Sequence, residues 1–275
     1  MAEKQKYLLP EPEKEIGRLT EQDSVITHMM KGVRILAPID FKQPGFQILD
    51  SGTADGLFLR SIQPQLTEPY KLLGFDVMES FFPPVAPPHT TFGIHDISEP
   101  WPAELHNAND LVHQRFTIPG GAKKATPREI VHYLCQLVKP GGYIQLVEMD
   151  ITGTALGPAM RDAWTVTGAF LTAAGAGSDY AKSMPGWLVE EGFENVVDRR
   201  VDLDYGVRYK EGDWGVRGAK VIVESFRGVV GACKMMNIEV PGIDLDTVPE
   251  RAEKELMTEG GVYPLVFAYG QKPLA

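Results

Sequence analysis

Gln47-Ile-Leu-Asp-Ser-Gly-Thr-Ala-Asp-Gly-Leu-Phe-Leu59 reads as a short apolar strand that runs into an acid, a glycine-containing turn and the opening of an amphipathic helix. Such a unit is a cradle for a nucleotide cofactor. Asp50 at the strand end can accept hydrogen bonds from a cationic or hydroxylated ligand, Gly52 lets the backbone come close, and the amides that open the next helix add positive dipole. Spacing decides which cofactor. A dinucleotide fingerprint needs glycines at the first, third and sixth positions of the turn, and counting from Gly52 puts Ala54 third and Leu57 sixth. NAD and FAD are therefore disfavoured.

The pattern Asp50-x-Gly52-x-x-x-Gly56 resembles motif I of the class I S-adenosylmethionine-dependent methyltransferases, with Ala54 in place of the usual middle glycine. Leu72-Leu-Gly-Phe-Asp-Val77 is again a short apolar strand ending in a carboxylate, 26 residues after Asp50. Asp76 sits where a ribose would be gripped, since a carboxylate can accept from both hydroxyls; the competing reading is an Asp capping a helix that starts near Glu79. Thr90-Thr-Phe-Gly-Ile94 ends at His95-Asp96-Ile97, and the resemblance implies that Asp96 accepts from the adenine amino group while Ile97 packs on the ring. Asn109-Asp-Leu-Val-His-Gln-Arg115 resembles motif IV, which faces the methionine end of the cofactor. Leu137-Val-Lys-Pro-Gly-Gly-Tyr-Ile-Gln-Leu-Val-Glu148 reads as a helix end, a Pro-Gly-Gly turn and a buried fifth strand.

Four motifs in this order over about a hundred residues resemble the fungal secondary-metabolism branch of that family. The likeness covers roughly residues 15 to 270 and includes Glu15-Ile-Gly-Arg-Leu-Thr-Glu-Gln22, similar to a helix that precedes the core. It implies an α/β, Rossmann-like methyltransferase fold: a seven-stranded, mostly parallel sheet with an antiparallel last strand and helical cap insertions. It also implies S-adenosyl-L-methionine as cofactor and a small-molecule substrate. The cofactor residues implied are Asp50, Ser51, Gly52, Thr53, Asp55, Gly56, Asp76, Val77, Asp96, Ile97, Gln114 and Arg115.

Composition narrows the class of partner. With 275 residues, 43% of them hydrophobic, the chain can bury one substantial α/β core with helical additions. A formal net charge of −10, with no basic run beyond Lys123-Lys124, argues against a nucleic-acid substrate. Cys135 and Cys233 lie in helix-like apolar segments without metal-ligand spacing, and read as buried, reduced thiols of a cytosolic protein. The start, Met1 to Pro10, is charged and lacks the apolar core of a signal peptide, and no run approaches the roughly 18 apolar residues of a membrane span. The expectation is a soluble, cytoplasmic protein with no membrane or metal partner.

Residues 1–14 are rich in Pro, Glu and Lys and read as flexible, while Arg18 to Leu36 carries apolar residues at helical spacing and is expected to close over the cofactor. Residues 1–40 thus form an amino-terminal segment and helical cap, and residues 41–275 the core. From Phe46 to Glu148 strands alternate with helices, so Asp50, Asp76, Asp96 and His113 should converge at the strand ends. Helical insertions are expected at about 151–182 and 205–260, separated by a helix ending at Gly192 and a strand from Val196 to about Leu203. The chain closes on Val262 to Tyr269, resembling the family's antiparallel seventh strand, with Pro264 expected near its start.

Methyl transfer from a sulfonium needs chiefly a positioned nucleophile and exclusion of water, so a base is optional. His113, at the end of the fourth strand, is the candidate catalytic base; it can equally fix the cofactor's carboxylate region or close the strand. Glu148 and Asp150 can orient a substrate amine or hydroxyl, or cap the insertion that follows, and Arg115 can pair with a carboxylate or form a structural salt bridge. Trp214, Phe226, Met235 and Met236 suit a lid or a helix core, and Phe81-Phe82-Pro83-Pro84 a cap contact or a homodimer surface. The sequence leaves four functions open: an O- or N-methyltransferase; a cofactor-retaining enzyme that catalyses cyclisation or dehydration; a methyltransferase-like regulator; and, weakened by the glycine spacing, a nicotinamide oxidoreductase.

Overall fold

The computed structural model describes residues 12–153 and 157–274. Strands β1 (Phe46–Ser51), β2 (Tyr70–Asp76), β3 (Thr90–Ile94), β4 (Asn109–Arg115), β5 (Val138–Met149), β6 (Glu194–Tyr205) and β7 (Gly261–Gln271) form one sheet in the order β3-β2-β1-β4-β5-β7-β6. Pairing from β3 through β5 is parallel, and β7 runs antiparallel to β5 from Met149↔Leu265 to Tyr143↔Gln271. The strand order reverses on either side of β1, which opens a crevice at the carboxyl ends of β1 and β4. Pro264 falls one residue before the first β5–β7 pair, where its missing amide costs no bond in the β5–β7 ladder, and its carbonyl accepts from Asp150 N at 3.1 Å.

The helices are α1 (Pro12–Met29), α2 (Leu57–Ile62), α3 (Ile118–Gly121), α4 (Pro127–Leu137), α5 (Pro158–Ala173), α6 (Tyr180–Glu190), α7 (Trp214–Met235) and α8 (Val248–Thr258). Local chemistry explains several of their ends. Thr126 and Glu129 form a reciprocal capping box ahead of α4, with Pro127 at its first position. α6 closes with Gly192 at φ 81°, its amide on Val189 O and that of Phe193 on Leu188 O, a Schellman stop. Beneath β1 the core packs Ile48, Phe58, Leu59, Ile62, Leu72 and Leu111, all at most 5% exposed. Cys135 and Cys233 are buried free thiols.

Several boundaries differ from the sequence expectation. Of residues 1–14, expected to be flexible, 1–11 lie outside the described residues and Pro12 to Lys14 begin α1. That helix stops at Met29 rather than near Leu36, because Lys31 and Gly32 turn into the left-handed region. The expected Pro-Gly-Gly turn is not a separate loop. β5 begins at Val138 and carries Gly141 at φ 79° in an irregular stretch between the pairs Asn109↔Val138 and Leu111↔Tyr143, where it advances five residues against two of β4. α2 spans only six residues, so the dipole expected at its start is smaller than that of a long helix. Of the first expected insertion, 154–156 lie outside the described residues, α5 fills much of the rest, and α6, the expected helix that stops at Gly192, begins at its end.

The chain divides into two compact units. One holds Val33–Gly153, Leu171–Asp202 and the chain from Pro264; the other holds α1, α5 as far as Phe170, and Leu203–Tyr263. In the second unit Arg217 ties α7 to α1 through two bonds to Glu21, at 2.6 and 2.9 Å, and lies over the Trp214 ring. The same ring stacks on His28 with centroids 4.2 Å apart. Glu255 of α8 receives the Ala159 and Met160 amides at the start of α5, taking the place of an N-cap. Phe226 is buried against Trp164 while Met235 is 60% exposed, so these side chains divide between core and surface. No helix among the described residues is long and apolar enough to cross a membrane.

Candidate active site

All the sequence-predicted site residues fall in the unit that carries β1 to β5. Asp50 of β1 and His113 of β4 are register partners, and the His113 Nδ1 lies 2.7 Å from Asp50 Oδ1. Both are buried, and Phe58 of α2 stacks on the imidazole at 3.7 Å. His113 thus sits two residues inside the end of β4, with one ring nitrogen and one ring face already engaged.

After β1 the chain turns sharply toward β2. The Gly52 and Thr53 amides both donate to Phe75 O, at 2.8 and 2.9 Å, and Ala54 N donates to Asp76 Oδ2 at 2.9 Å. Ala54 itself adopts φ 48°, a left-handed conformation that costs an alanine roughly 1 kcal/mol and a glycine almost nothing. Gly52 and Gly56 share that half of the map, and a Cβ on either would strike Thr117 or Phe92. The other Asp76 oxygen accepts from Met78 N at 3.0 Å. Burial raises the Asp76 carboxyl above its ordinary value, the amide bonds opposing it and nearby Asp50 adding to it. Asp55 points back to its own helix, where it caps Leu57 N and pairs with Arg60.

Beyond β3, Asp96 Oδ1 accepts from Ser98 N and Oγ at 3.0 and 2.6 Å, and Oδ2 accepts from Lys124 Nζ at 2.7 Å. Burial resists ionisation there, but the Lys124 and Ser98 bonds outweigh it and hold the carboxyl below the usual range. Ile97 packs where Gly121 of α3 leaves room, since a Cβ on Gly121 would meet Ile97 Cγ2 at 2.9 Å. His95 lies against Trp101 and bonds Glu99 O. Val77 is 39% exposed. Phe81 is buried and Phe82 packs on Phe92, while Pro84 is exposed, so only the start of this stretch is core.

At the ends of β4 and β5, Gln114 Nε2 donates to Glu148 Oε1 at 2.6 Å and to Thr117 Oγ1 at 3.0 Å. Glu148 also accepts from Ile118 N at 3.1 Å and from the Tyr180 hydroxyl at 2.7 Å. Burial pushes its carboxyl up to about 7, with Tyr180, Gln114 and Ile118 pulling the other way. Asp150 is tied to Thr152 and Arg200, which favours a structural over a substrate-orienting role. Arg115 lies with its guanidinium 5.8 Å over the Phe116 ring.

The chain is 34% identical over 266 residues to methyltransferase psoC of Aspergillus fumigatus, 94% of each chain being covered. It is 32% identical to N-methyltransferase sirN of Leptosphaeria maculans, over 97% of this chain and 95% of that one, and 30% identical to N-methyltransferase gliN of Aspergillus fumigatus, over 97% and 96%. The chain belongs to the S-adenosylmethionine-dependent methyltransferases. No family model matches it. Among solved structures, a putative methyltransferase of Bacillus halodurans aligns with TM-score 0.51 at 13% identity over 91% of this chain and 99% of that one. The Haemonchus contortus phosphoethanolamine N-methyltransferase 2 aligns with TM-score 0.51 at 12% identity over 92% of this chain and 52% of that one. These confirm the fold, with its antiparallel last strand.

The residues of this methyltransferase suit its cofactor, S-adenosylmethionine, on two counts. The Asp76 carboxylate spends one bond per oxygen on backbone amides and keeps acceptor capacity for hydroxyl groups. Thr53 Oγ1 and Gln114 Oε1 are buried polar atoms without a hydrogen-bond partner among the described residues, both close to the carboxyl ends of adjacent strands. A hydroxyl suits a carboxylate and an amide oxygen suits an ammonium, the two polar groups of the methionine moiety. Sequence reasoning missed the Lys124 bond to Asp96 and the Tyr180 bond to Glu148, because each joins residues far apart in the chain. The outward turn of Asp55 was equally hidden, since only the three-dimensional path of α2 sets it against Arg60.

Proposed function

We propose that this methyltransferase methylates a nitrogen atom of a small secondary metabolite. The observation that carries the reading is near-full-length similarity to sirN and gliN, both named N-methyltransferases. The cofactor supplies an electrophilic methyl group on a sulfonium. In this reading Asp76 holds the ribose hydroxyls, Ile97 and Val77 flank the adenine, and Asp96 shares its carboxylate between Lys124 and the adenine amino group. Gly52, Thr53 and Gly56 shape the turn around the methionine end, with Ser51, Gln114 and Arg115 beside it; Asp55 contributes indirectly, by fixing the start of α2. An amine nucleophile need only arrive uncharged, so no obligatory base is required. The buried contacts of His113 support its role as the group that orients Asp50.

The test is native mass spectrometry of the purified protein, then incubation with metabolites bearing amine, amide or phenol groups. S-adenosylhomocysteine release with an N-methylated product supports the reading. Methylation confined to oxygen would overturn the choice of nitrogen, and a rearranged product without S-adenosylhomocysteine would overturn methyl transfer itself.

A further inference from the structure

Gln114 and Glu148 form a buried pair that leaves one polar atom over. Both amide hydrogens of Gln114 are committed, one to Glu148 at 2.6 Å and the other to Thr117 at 3.0 Å. Its Oε1 therefore faces away from both, buried and without a partner among the described residues, on a side chain 0% exposed. The reverse amide orientation would set that oxygen against Glu148 Oε1, which already accepts from Ile118 N, so the Glu148 acceptor selects the one seen. Glu148 is itself fixed from two further sides, by Ile118 N and the Tyr180 hydroxyl. Gln114 pairs with Ser51 across β1 and β4, at the crevice where the strand order reverses. A buried acceptor without a donor is unfavourable unless a ligand brings one.

We propose that Glu148 is a positioning residue that locks the Gln114 amide so that its oxygen receives an N–H donor of a bound ligand. This deepens the reading of the site as a nitrogen-methylating one and rests on it for one of two sources. The donor is either the ammonium of the cofactor or the substrate nitrogen, and an acceptor-only oxygen suits both. Glu148 touches neither ligand; it acts through Gln114.

The experiment is calorimetry on the full chain, as wild type, Gln114→Leu and Glu148→Gln, with S-adenosylhomocysteine and with its analogue lacking the α-amino group. If the donor is the cofactor ammonium, wild type prefers the amino-bearing ligand by about tenfold or more, and both variants cut that preference to under about threefold while binding the analogue as before. If the donor is the substrate nitrogen, calorimetry is unchanged and KM for an amine substrate rises about tenfold with little change in kcat. Either result supports the positioning role. Equal weakening of both ligands would make the pair merely structural, and no change in binding or KM would remove it from ligand contact; both overturn the proposal. Should Glu148→Gln fail to fold by circular dichroism, Gln114→Leu and Tyr180→Phe carry the same comparison. Calorimetry needs no turnover, so a chain that methylates only oxygen would refute the nitrogen reading while leaving the ammonium result to stand or fall alone.

Discussion

His113 Nδ1 and Asp50 Oδ1 meet at 2.7 Å inside the sheet, joining adjacent strands below the turn that follows β1. His113→Ala would leave a buried Asp50 oxygen without its hydrogen-bond partner, a loss on the order of 1–3 kcal/mol. S-adenosylmethionine affinity and turnover should therefore fall together, along with the melting temperature. Calorimetry beside steady-state kinetics checks this. A large drop in kcat at unchanged cofactor affinity would restore His113 as the catalytic base.

Asp76 receives Ala54 N and Met78 N, and in the proposed site it would also grip the ribose. Asp76→Ala should weaken S-adenosylhomocysteine by about tenfold or more, and Asp76→Asn by less, because an asparagine oxygen can replace only one of the two amide bonds. Equal affinity in all three proteins would dismiss Asp76 as a cofactor residue.

Ala54 holds a left-handed conformation at φ 48°. Ala54→Gly should leave stability unchanged or raise it by up to about 1 kcal/mol, where an Ala→Gly change in regular backbone lowers it. Denaturant unfolding reads the sign. A loss above that size would mean that the methyl group packs against something the turn needs.

Glu148 sets a pH dependence of known direction. Its folded carboxyl stands at about 7 against an ordinary 4.5, so its contribution to stability is fully present below 4.5 and lost as pH rises through about 7. Glu148→Gln, which cannot ionise, should exceed wild type at about pH 8 by on the order of 1–3 kcal/mol, the gain disappearing near pH 4.5. Melting curves across this range test it. A constant difference between the two proteins would mean that Glu148 does not titrate in the folded chain.

Much of the frame was legible in the sequence because strands in a parallel sheet announce themselves locally. Thr90–Ile94 and Asn109–Arg115 coincide with the expected runs, Asp76 closes its strand as expected, and Asp50 stands one residue before the end of its own. The site was less legible because side-chain partnerships depend on strand order and loop path. His113 reads as a free base until register sets it beside Asp50, and Glu148 as a cap until β5 and α6 bring Gln114 and Tyr180 to it. The Pro-Gly-Gly segment carries an ordinary turn signal, yet backbone bonds of Gly141 and Gly142 to Lys272, just past β7, draw it into β5.

The most direct measurement supplies methyl-deuterated S-adenosylmethionine with an amine-bearing metabolite and follows both products by mass spectrometry and NMR. Expected are equimolar S-adenosylhomocysteine and a product carrying the labelled methyl on nitrogen. A cofactor left intact while the metabolite is cyclised or dehydrated, or a label found only on oxygen, would contradict nitrogen methylation.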